Sequence, residues 1–374
     1  MPLQIPSSLL PSDGRFGSGP SKVRTAQVDA VAAAGDPTRP VLGTSHRQAP
    51  VKDVVHRVRT GLADLFDLPD GYEVVLGNGG STAFWEVATA SLVRERAQHA
   101  TFGEFGAKFA AATRRAPFLA DPEVVDAAPG SVAYLTPSDA VDVYATPHNE
   151  TSTGAMAPVR RPAEDALLLT DATSGAGALP VDLRSTDVYY FGPQKVFGAD
   201  GGLWLALCSP AAIERAAEVE ASGGGRWVPE FLSLTTALEN SRKDQTLNTP
   251  AVATLVMLAE QVEWLNGQGG LEWSSRRCAT SAEILYGWAD AREWATPFVT
   301  VPAERSTVVG TVDLDDRIDA SAVVAHLRAA GVLDVFPYRK LGRNQLRVGM
   351  FPAVDPDDVA ALTACVDHVV ERLV

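Results

Sequence analysis

Cysteine, long apolar runs and positive charge are all scarce in this chain of 374 residues. The three cysteines, Cys208, Cys278 and Cys365, are odd in number and far apart, without the paired spacing of a zinc site. A disulfide framework is therefore not expected, and a reducing compartment fits best. No stretch reaches the roughly 18 consecutive apolar residues of a membrane span, and residues 1–6 lack the pattern of a signal peptide. These absences predict a cytoplasmic protein.

The chain is acidic. Lysine and arginine number 32 against 46 aspartates and glutamates, which gives a formal net charge of −14 and a pI near 4.9. Nucleic-acid binding needs basic stripes that this sequence does not show, so the predicted partner is a small molecule. With 46% hydrophobic residues the chain can bury a large core, typical of two domains or of one domain with an appendage. The sequence contains no metal-site spacing and no serine-hydrolase elbow.

Lysine is the rarer of the two basic residues, with 6 lysines against 26 arginines. One of them, Lys195, follows the apolar run Val188–Phe191 at a strand-to-loop boundary. Lysine can act as an amine nucleophile and form a Schiff base with a carbonyl, whereas arginine cannot. Taken alone, a lysine at this position is more often a solvated surface residue than a Schiff-base lysine.

Strands and helices alternate over the first two thirds of the chain. The apolar strand runs are nearly continuous, which is typical of strands covered on both faces of a parallel sheet. Helical spacing of apolar residues separates several of them. We predict strands at 72–76, 141–145, 166–170, 188–191 and 203–207, and helices at 51–68, 82–96 and up to residue 265.

A glycine cluster, Gly267–Gly270, is the best candidate for a domain boundary. Beyond it, helical and strand patterns alternate in a small α+β unit. The first residues are rich in proline, serine and glycine and are predicted to form an irregular arm. The predicted division is therefore an arm at 1–20, a large domain at 21–266 and a small C-terminal domain at 267–374.

Two charged residues end neighbouring apolar runs, Asp171 after the run 166–170 and Lys195 after the run 188–191. The carboxyl ends of parallel strands form the ligand crevice of α/β sheets, so the two side chains can meet there. Pyridoxal phosphate needs both: a lysine for its aldehyde and an acid against its ring nitrogen. Asp171 alone is explained equally well as a helix N-cap.

A glycine-rich loop in the segment Leu76–Phe84 lies between a predicted strand and a helix. Backbone N–H groups and the helix dipole favour an anion at such a junction, with Ser81 and Thr82 adding hydroxyl groups. Tight-turn geometry would produce the same composition. The loop matches neither the P-loop nor the dinucleotide fingerprint, so a nucleotide site is the weaker interpretation.

The remaining candidates are polar turns and clustered cations. The segments His148–Gly154 and Asn248–Pro250 place small polar groups at element ends, where turn chemistry is an equal explanation. Arginine forks match carboxylates and phosphates, although surface ion pairs explain any single arginine. The cations concerned are His46, Arg47, Arg339, Lys340, Arg343 and Arg347.

In combination, these residues resemble the fold-type I pyridoxal-phosphate enzymes of the class V aminotransferase group, and within it the phosphoserine aminotransferases. The resemblance covers almost the whole chain, and its markers follow the family's order. They are Phe16–Pro20, Ser45–Arg47, Gly79–Ser81, Asn149–Thr151, Asp171–Ser174, Gln194–Lys195, Asn248–Pro250 and Leu346–Gly349.

The resemblance implies an α/β fold, with a large domain built on a mainly parallel seven-stranded sheet and a small C-terminal α+β domain. It implies pyridoxal 5'-phosphate as the cofactor, with Lys195 and Asp171 as catalytic residues. The cofactor-binding residues carried over are Gly80, Ser81, Thr82, Phe105, Thr151, Asp171, Ser174, Gln194 and Lys195, with Asn248 and Thr249 reaching the cofactor of the neighbouring subunit of a homodimer. The substrate-binding residues carried over are Ser18, His46, Arg47, Arg339, Lys340 and Arg347.

Four positions depart from the family pattern. Phe105 stands where a tryptophan commonly stacks on the cofactor ring, and a phenyl face still stacks with less area. Ser81 stands where relatives carry arginine, and Arg339 and Lys340 replace a His-Arg pair. These changes leave the ligands of the substrate phosphate open.

The activity implied is amino transfer from L-glutamate to 3-phosphohydroxypyruvate, giving O-phospho-L-serine and 2-oxoglutarate, with Lys195 as the proton shuttle. The related four-carbon step of pyridoxine biosynthesis stays open. The alternatives are another enzyme of the group, such as an alanine–glyoxylate aminotransferase or a cysteine desulfurase, and a non-catalytic small-molecule-binding protein of the same fold. The second cationic anchor and the absence of a cysteine on a predicted mobile loop argue against the first two.

Overall fold

The computed structural model describes residues 3–221 and 226–373, so residues 1 and 2 of the predicted arm lie outside it. The strands are β1 Glu73–Asn78, β2 Ala97–Thr101, β3 Glu123–Asp126, β4 Val143–Pro147, β5 Asn149–Glu150, β6 Ala155–Met156, β7 Leu167–Asp171, β8 Val188–Phe191, β9 Leu203–Cys208, β10 Ala295–Pro297, β11 Val309–Leu314 and β12 Gln345–Gly349. The helices are α1 Thr25–Ala34, α2 Ala49–Leu65, α3 Gly80–Ser91, α4 Glu104–Arg115, α5 Pro210–Ala221, α6 Leu234–Ser241, α7 Val252–Gln268, α8 Gly270–Asp290, α9 Ala320–Ala329 and α10 Pro356–Leu373.

Seven strands form the central sheet, in the order β1-β9-β8-β7-β4-β2-β3. The ladder is parallel from β8 through β7, β4 and β2 to β3, and β9 runs antiparallel to both β1 and β8. The predicted α/β fold with a mainly parallel seven-stranded sheet is confirmed. Parallel neighbours end at the same edge of a sheet, so the residues that follow β4, β7 and β8 are brought together.

Both faces of this sheet are covered, which explains its nearly continuous apolar strands. Successive side chains of a strand point to opposite faces. Tyr189 of β8 therefore packs in one core, edge-on to Phe66, whereas Tyr190 packs in the other, stacked on Phe84 at a centroid distance of 4.5 Å. All four residues are buried.

A second, antiparallel sheet, β10-β11-β12, lies in the C-terminal part of the chain with α9 and α10 packed around it. The N-terminal segment belongs to this core, because Ile5 and Phe16 are buried in it. Phe16 also bonds to the main chain on both sides, through its N–H to Leu333 and its carbonyl to Gly349. The predicted irregular arm is therefore bonded to, and packed against, the C-terminal part of the chain that holds the small sheet.

The helix break nearest the predicted domain boundary is at Gly269 and Gly270, where φ is +119° and +68°, values that favour glycine. α7 thus ends at Gln268, two residues beyond the predicted end of the large domain at 266. α8 then packs in both cores, with Cys278 in the large one and Leu285 in the small one. The division into arm, large and small domains stays a prediction, since one helix joins the last two.

Across the part of the chain that is described, no helix is both long and apolar enough to cross a membrane.

Candidate active site

A cavity of about 270 Å³ opens at the edge of the central sheet where β4, β7 and β8 end and β9 begins. The first turn of α3 closes one side of it. The residues that line it are Gly79, Gly80, Ser81, Thr82, Trp85, Phe105, Pro147, Asn149, Thr151, Asp171, Thr173, Gln194, Lys195, Gly201 and Gly202. The residues predicted from two strand ends and a glycine-rich loop thus share one cavity.

Asp171, the last residue of β7, is held by four hydrogen bonds. Its Oδ1 accepts from the N–H and the hydroxyl of Thr173, at 3.0 and 2.6 Å, and its Oδ2 accepts from the indole of Trp85 at 3.2 Å and the hydroxyl of Tyr190 at 3.1 Å. Burial raises the pKa of Asp171, and these bonds oppose the rise because they favour the ionised form. The carboxylate is therefore fixed in one orientation at the cavity wall.

Lys195 lies four residues after the end of β8 and is 8% exposed. Its side-chain nitrogen donates to the main-chain carbonyl of Ser18 at 2.8 Å. Burial, together with the charge of Arg347, lowers the pKa of Lys195 to about 7, and the nearby acids Glu150 and Asp171 oppose the shift. A substantial fraction of the amine is therefore neutral, and hence nucleophilic, near neutral pH.

The segment after Pro20 holds the loop that carries Lys195. The N–H of Ser21 bonds to the carbonyl of Gln194 at 3.0 Å, and its hydroxyl donates to the carbonyl of Lys195. The buried amide of Gln27 in α1 donates to the carbonyls of Phe197 and Gly198, at 3.0 and 3.2 Å. Lys195 is thus presented by a loop clamped to the N-terminal segment.

The turn before α3 forms an anion cradle. Gly79 and Gly80 have φ of +111° and +74°, a backbone conformation that other residues rarely adopt. The first three residues of α3 line the cavity, where the positive end of the helix dipole favours a negative group. The hydroxyl of Ser81, paired with that of Thr173 at 2.8 Å, lies beside it. This geometry suits an anion, and a phosphate site at the glycine-rich loop stays a prediction.

Thr151 lines the cavity and Ser174 lies behind it. The hydroxyl of Thr151 donates to Ser174 Oγ at 2.8 Å, as does the side-chain amide of Asn149 at the same distance. Ser174 is fully buried and in turn donates to the carbonyl of Asn149 at 3.2 Å. Of the two predicted cofactor ligands, Thr151 contacts the cavity directly and Ser174 orients it.

Phe105 supplies an aromatic face, at the second residue of α4. The centroid of its ring lies 6.0 Å from the side-chain nitrogen of Lys195 and 6.3 Å from the ring centroid of Tyr338. A flat ligand that fills the cavity beside Lys195 would therefore meet the Phe105 ring.

Arg347 of β12 is buried to 9% exposure without a carboxylate partner in the described part of the chain. One guanidinium nitrogen donates to the carbonyl of Thr151 at 3.3 Å, and the group lies 5.3 Å from the ring centroid of Tyr338. By contrast, Arg343 is paired with Asp313. A buried cation that lacks an acid is poised for an anionic ligand.

None of the predicted substrate-binding cations is among the residues that line this cavity, and Arg347 reaches it only through its bond to Thr151. His46 is buried beside Thr249, at 3.2 Å, with its Nε2 unpartnered, and Asn248 bonds to Asn78 at 2.6 Å. Arg47 and Arg339 are exposed, and the structure shows no ion pair for either among the described residues. The ammonium of Lys340 pairs with Glu104.

Sequence reasoning missed five residues of this region: Trp85, Glu150, Thr173, Tyr190 and Tyr338. Trp85 is four residues beyond Ser81 on α3, so helical spacing placed it on the same face. Tyr190 follows Tyr189 in a strand, so one of the pair had to face the cavity side. Glu150 and Thr173 lie within the family markers Asn149–Thr151 and Asp171–Ser174, where no role was assigned to either, and no sequence signal singled out Tyr338.

Three comparisons with known proteins each find similarity to aminotransferases. Residues 132–333 match the family model described as aminotransferase class-V. The chain is 60% identical over 375 residues to a phosphoserine aminotransferase of Nocardioides sp., with 99% of each chain covered. Its fold matches the crystal structure of a phosphoserine aminotransferase from Cytophaga hutchinsonii, with a TM-score of 0.88, 22% identity and coverage of 94% and 98%. It also matches a PLP-bound phosphoserine aminotransferase from Trichomonas vaginalis, with a TM-score of 0.80, 17% identity and coverage of 95% and 99%.

Proposed function

The chain belongs to the class V aminotransferases and, within them, to the phosphoserine aminotransferases, and on that premise we propose how its residues carry out the reaction. The reaction is amino transfer from L-glutamate to 3-phosphohydroxypyruvate, giving O-phospho-L-serine and 2-oxoglutarate. The observation that supports the proposal best is the meeting of Lys195, Asp171 and the Gly79–Gly80 cradle in one cavity.

The cavity suits pyridoxal 5'-phosphate in each of its chemical parts. Lys195 offers a buried amine with a lowered pKa for the aldehyde, and Asp171 offers a fixed carboxylate for the ring nitrogen. The Gly79–Gly80 turn and Ser81 suit the phosphate, and Phe105 suits the ring face. When bound, the cofactor accepts electrons from the substrate and carries the amino group between the two half-reactions.

Lys195 acts as the base and then the acid of the transfer. Its lowered pKa lets the freed amine take the proton from Cα of the amino acid at neutral pH and return it later in the half-reaction. The hydrogen bonds from Thr173, Trp85 and Tyr190 favour the ionised form of Asp171 and oppose the rise in its pKa that burial causes.

Arg347 binds the α-carboxylate that glutamate and 3-phosphohydroxypyruvate share. Its guanidinium is buried next to the cavity residue Thr151 and its planar fork matches a carboxylate. Ser18 lies next to Lys195, because its main-chain carbonyl accepts a hydrogen bond from the lysine amine. Its buried hydroxyl has no hydrogen-bond partner. The substrate's second anion requires a further cation, for which Arg47 and Arg339 are the exposed candidates.

We propose that the working unit is a homodimer in which Asn248 and Thr249 reach the cofactor of the neighbouring subunit. Both are exposed and outside the cavity of their own chain. Thr249 contacts His46, so the same arrangement would carry His46 and the adjacent Arg47 to the neighbour's substrate. A cytoplasmic location belongs to the same proposal, supported by three cysteines that are all free and buried.

The activity is tested with purified protein, pyridoxal phosphate and L-glutamate. We expect turnover of 3-phosphohydroxypyruvate and little with glyoxylate, and the phosphorylated four-carbon 2-oxo acid of pyridoxine synthesis forms a third arm. Lys195→Ala should abolish both turnover and the visible absorbance of the covalently held cofactor. Full activity of that variant, or a preference for glyoxylate, would overturn the assignment.

The dimer is tested by mixing two impaired variants, Lys195→Ala and a double variant with Asn248→Ala and Thr249→Ala. A hybrid dimer has one site with an intact lysine and an intact pair from its neighbour, so mixing after mild dissociation should restore activity. If all these residues served their own chain, every site of the mixture would stay defective.

A further inference from the structure

Glu150 is a buried acid that none of the roles above uses. It lies between two residues that line the cavity, Asn149 and Thr151, and its exposure is 0%. Burial raises the pKa of its carboxyl group, and hydrogen bonds from Ser152 and Gly106 oppose the shift. A buried carboxylate is costly unless its oxygens are bonded, so the groups that bond to it indicate its role.

Glu150 supplies the cap that α4 lacks. The residue at the N-cap position of this helix is Gly103, which has no side chain to accept from the first N–H groups. Oε2 of Glu150 accepts instead from the N–H of Phe105 at 3.0 Å and of Gly106 at 3.1 Å. These are the second and third helical positions, the ones that an N-cap side chain normally bonds. The carboxylate also favours the positive end of the helix dipole.

The glycine at position 103 is explained by the space that Glu150 takes. A Cβ atom at Gly103 would lie 2.3 Å from Cγ and 2.5 Å from Cδ of Glu150. The backbone at Gly103 is extended, with φ of 172°, so its conformation does not itself require glycine. The capping group of α4 is therefore supplied by Glu150, which is 47 residues later in the sequence than the N-cap residue Gly103.

The other oxygen of Glu150 ties α4 to the hairpin that carries Thr151. Oε1 accepts from the N–H and the hydroxyl of Ser152, at 3.2 and 2.7 Å. Ser152 Oγ in turn accepts from the N–H of Glu104, the first residue of α4, at 3.0 Å. The hairpin is closed behind Glu150 by the pairing of β5 with β6. One carboxylate thus joins the helix that bears Phe105 to the strand that bears Thr151.

We propose that Glu150 is a positioning residue of the cofactor site: by capping α4 it fixes Phe105 against the face of the cofactor ring. The inference rests on the proposed function only in taking the cavity as the cofactor site. Phe105 is in the first turn of α4, the part of a helix that frays when its N–H groups are unbonded. Glu150 touches neither the ring nor the substrate and acts through Phe105 and Thr151.

The test measures binding of pyridoxal phosphate to the full-length apoenzyme, by absorbance titration. Glu150→Ala removes both acceptor oxygens, and we expect the dissociation constant to rise by roughly tenfold, the effect of losing a helix cap and its bonds. Glu150→Gln keeps one oxygen for the N–H groups of Phe105 and Gly106, so its rise should be smaller. A KM for glutamate close to that of wild type in the loaded enzyme would place the defect in cofactor binding.

A matched control separates positioning from stability. Asp142 accepts from the N–H groups of Arg94, Glu95 and Arg96, at 2.8, 2.8 and 3.0 Å, and does not line the cavity. Asp142→Asn should lower the melting temperature without changing cofactor affinity. If Glu150→Ala behaves in the same way, its role is structural and the proposal fails.

A double-mutant cycle and a rescue test the route through Phe105. In a Phe105→Ala background, Glu150→Ala should cost much less cofactor affinity than in the wild type, because the ring it positions is gone. In the Glu150→Ala background, the two atoms nearest to a Cβ at position 103, Cγ and Cδ of Glu150, are removed. The third is the rotatable hydroxyl of Ser152 at 2.6 Å, and a serine at position 103 is a standard cap. We expect Gly103→Ser to recover part of the affinity.

The outcomes are distinguishable from those of the proposed function. Additive effects of Phe105→Ala and Glu150→Ala, or wild-type cofactor affinity in Glu150→Ala, would overturn the role of Glu150 while leaving the transaminase assignment intact. A wild-type protein that binds pyridoxal phosphate yet fails to transaminate would overturn the activity, and the comparison of cofactor affinities would still decide the role of Glu150.

Discussion

The side-chain nitrogen of Lys195 donates a hydrogen bond of 2.8 Å to the main-chain carbonyl of Ser18, which is 177 residues earlier in the chain. The next residue, Gly19, leaves no room for a side chain, because a Cβ atom there would lie 1.8 Å from that nitrogen. The N-terminal segment therefore packs against the side chain of Lys195 and fixes the position of its free amine.

Gly19→Ala should displace the amine of Lys195. A catalytic group moved by about 1 Å can lose about 100-fold in rate, so we expect kcat to fall by at least that order, together with loss of the visible absorbance of the covalently held cofactor. Gly270→Ala is the control, since Gly270 also has positive φ, +68°, but no atom within 4 Å of the added Cβ. Equal defects in the two variants would point to backbone strain rather than to the collision with Lys195.

Lys195 should also shape the pH dependence of apoenzyme stability. Its pKa is about 7 in the folded chain against an ordinary 10.5, so the unfolded chain binds more protons between these values. The free energy of unfolding therefore gains from this group as pH rises from about 7 toward 10.5. Lys195→Met removes the gain: the variant should be more stable than wild type at pH 7, by a margin that shrinks toward pH 10. Parallel urea-unfolding midpoints for the two apoenzymes across this range would contradict the lowered pKa.

Tyr190→Phe and Trp85→Phe should each weaken the hold on Asp171. Each removes one donor to Oδ2, and a hydrogen bond to a charged group contributes about 1.5–3 kcal/mol. Less favoured ionisation of Asp171 should lower cofactor affinity and kcat/KM by roughly tenfold or more. Tyr189→Phe is a matched control, because the Tyr189 hydroxyl is equally buried but bonds to His148 on the other face of β8. An effect of Tyr189→Phe as large as that of Tyr190→Phe would argue against a specific role of the bond to Asp171.

Substitutions of Arg347 and Arg47 should show which residue binds the α-carboxylate of the substrate and which binds its phosphate. Arg347→Ala should raise KM for glutamate and for 3-phosphohydroxypyruvate by roughly 10- to 100-fold, because both lose the partner of their α-carboxylate. Arg47→Ala should raise KM for the phosphorylated substrate most and leave the cofactor spectrum unchanged. Arg343→Ala, which breaks the ion pair with Asp313 and the cation–π contact with Phe298 at residues that do not line the cavity, is the control for both. A rise in KM for glutamate alone in Arg347→Ala would contradict a shared carboxylate site.

The local sequence pattern was sufficient to predict most strands of the central sheet. β8 spans the predicted residues 188–191, β7 is shifted by one residue at both ends, and β9 is one residue longer than predicted. These strands are buried on both faces, so their apolar runs are continuous and their limits are marked by charged or small residues. The meeting of Asp171 with Lys195 followed from the same pattern, because neighbouring parallel strands end at one edge.

Prediction failed where distant parts of the chain supply the bonds. β2 was not predicted, because its sequence includes Gln98 and His99; in the fold both are buried, and Gln98 bonds to Glu123 and Thr136. α3 was predicted to reach residue 96 but ends at Ser91, where the following N–H groups turn to the carboxylate of Asp142. α4 was also missed, and its capping group is Glu150.

The sequence by itself determined the fold class and the family, which are carried by the alternation of strands and helices and by markers in a fixed order. It also singled out Lys195, Asp171 and the Gly79–Ser81 loop as candidates, because each lies in a short contiguous pattern. The tertiary structure alone decided which groups orient them: Trp85 and Tyr190 on Asp171, Ser18 on Lys195, and Glu150 on the helix of Phe105. These contacts join residues 19 to 177 positions apart in the sequence. A hydrogen bond acts over about 3 Å in space and leaves no periodic trace in the sequence, so only the folded chain reveals its partners.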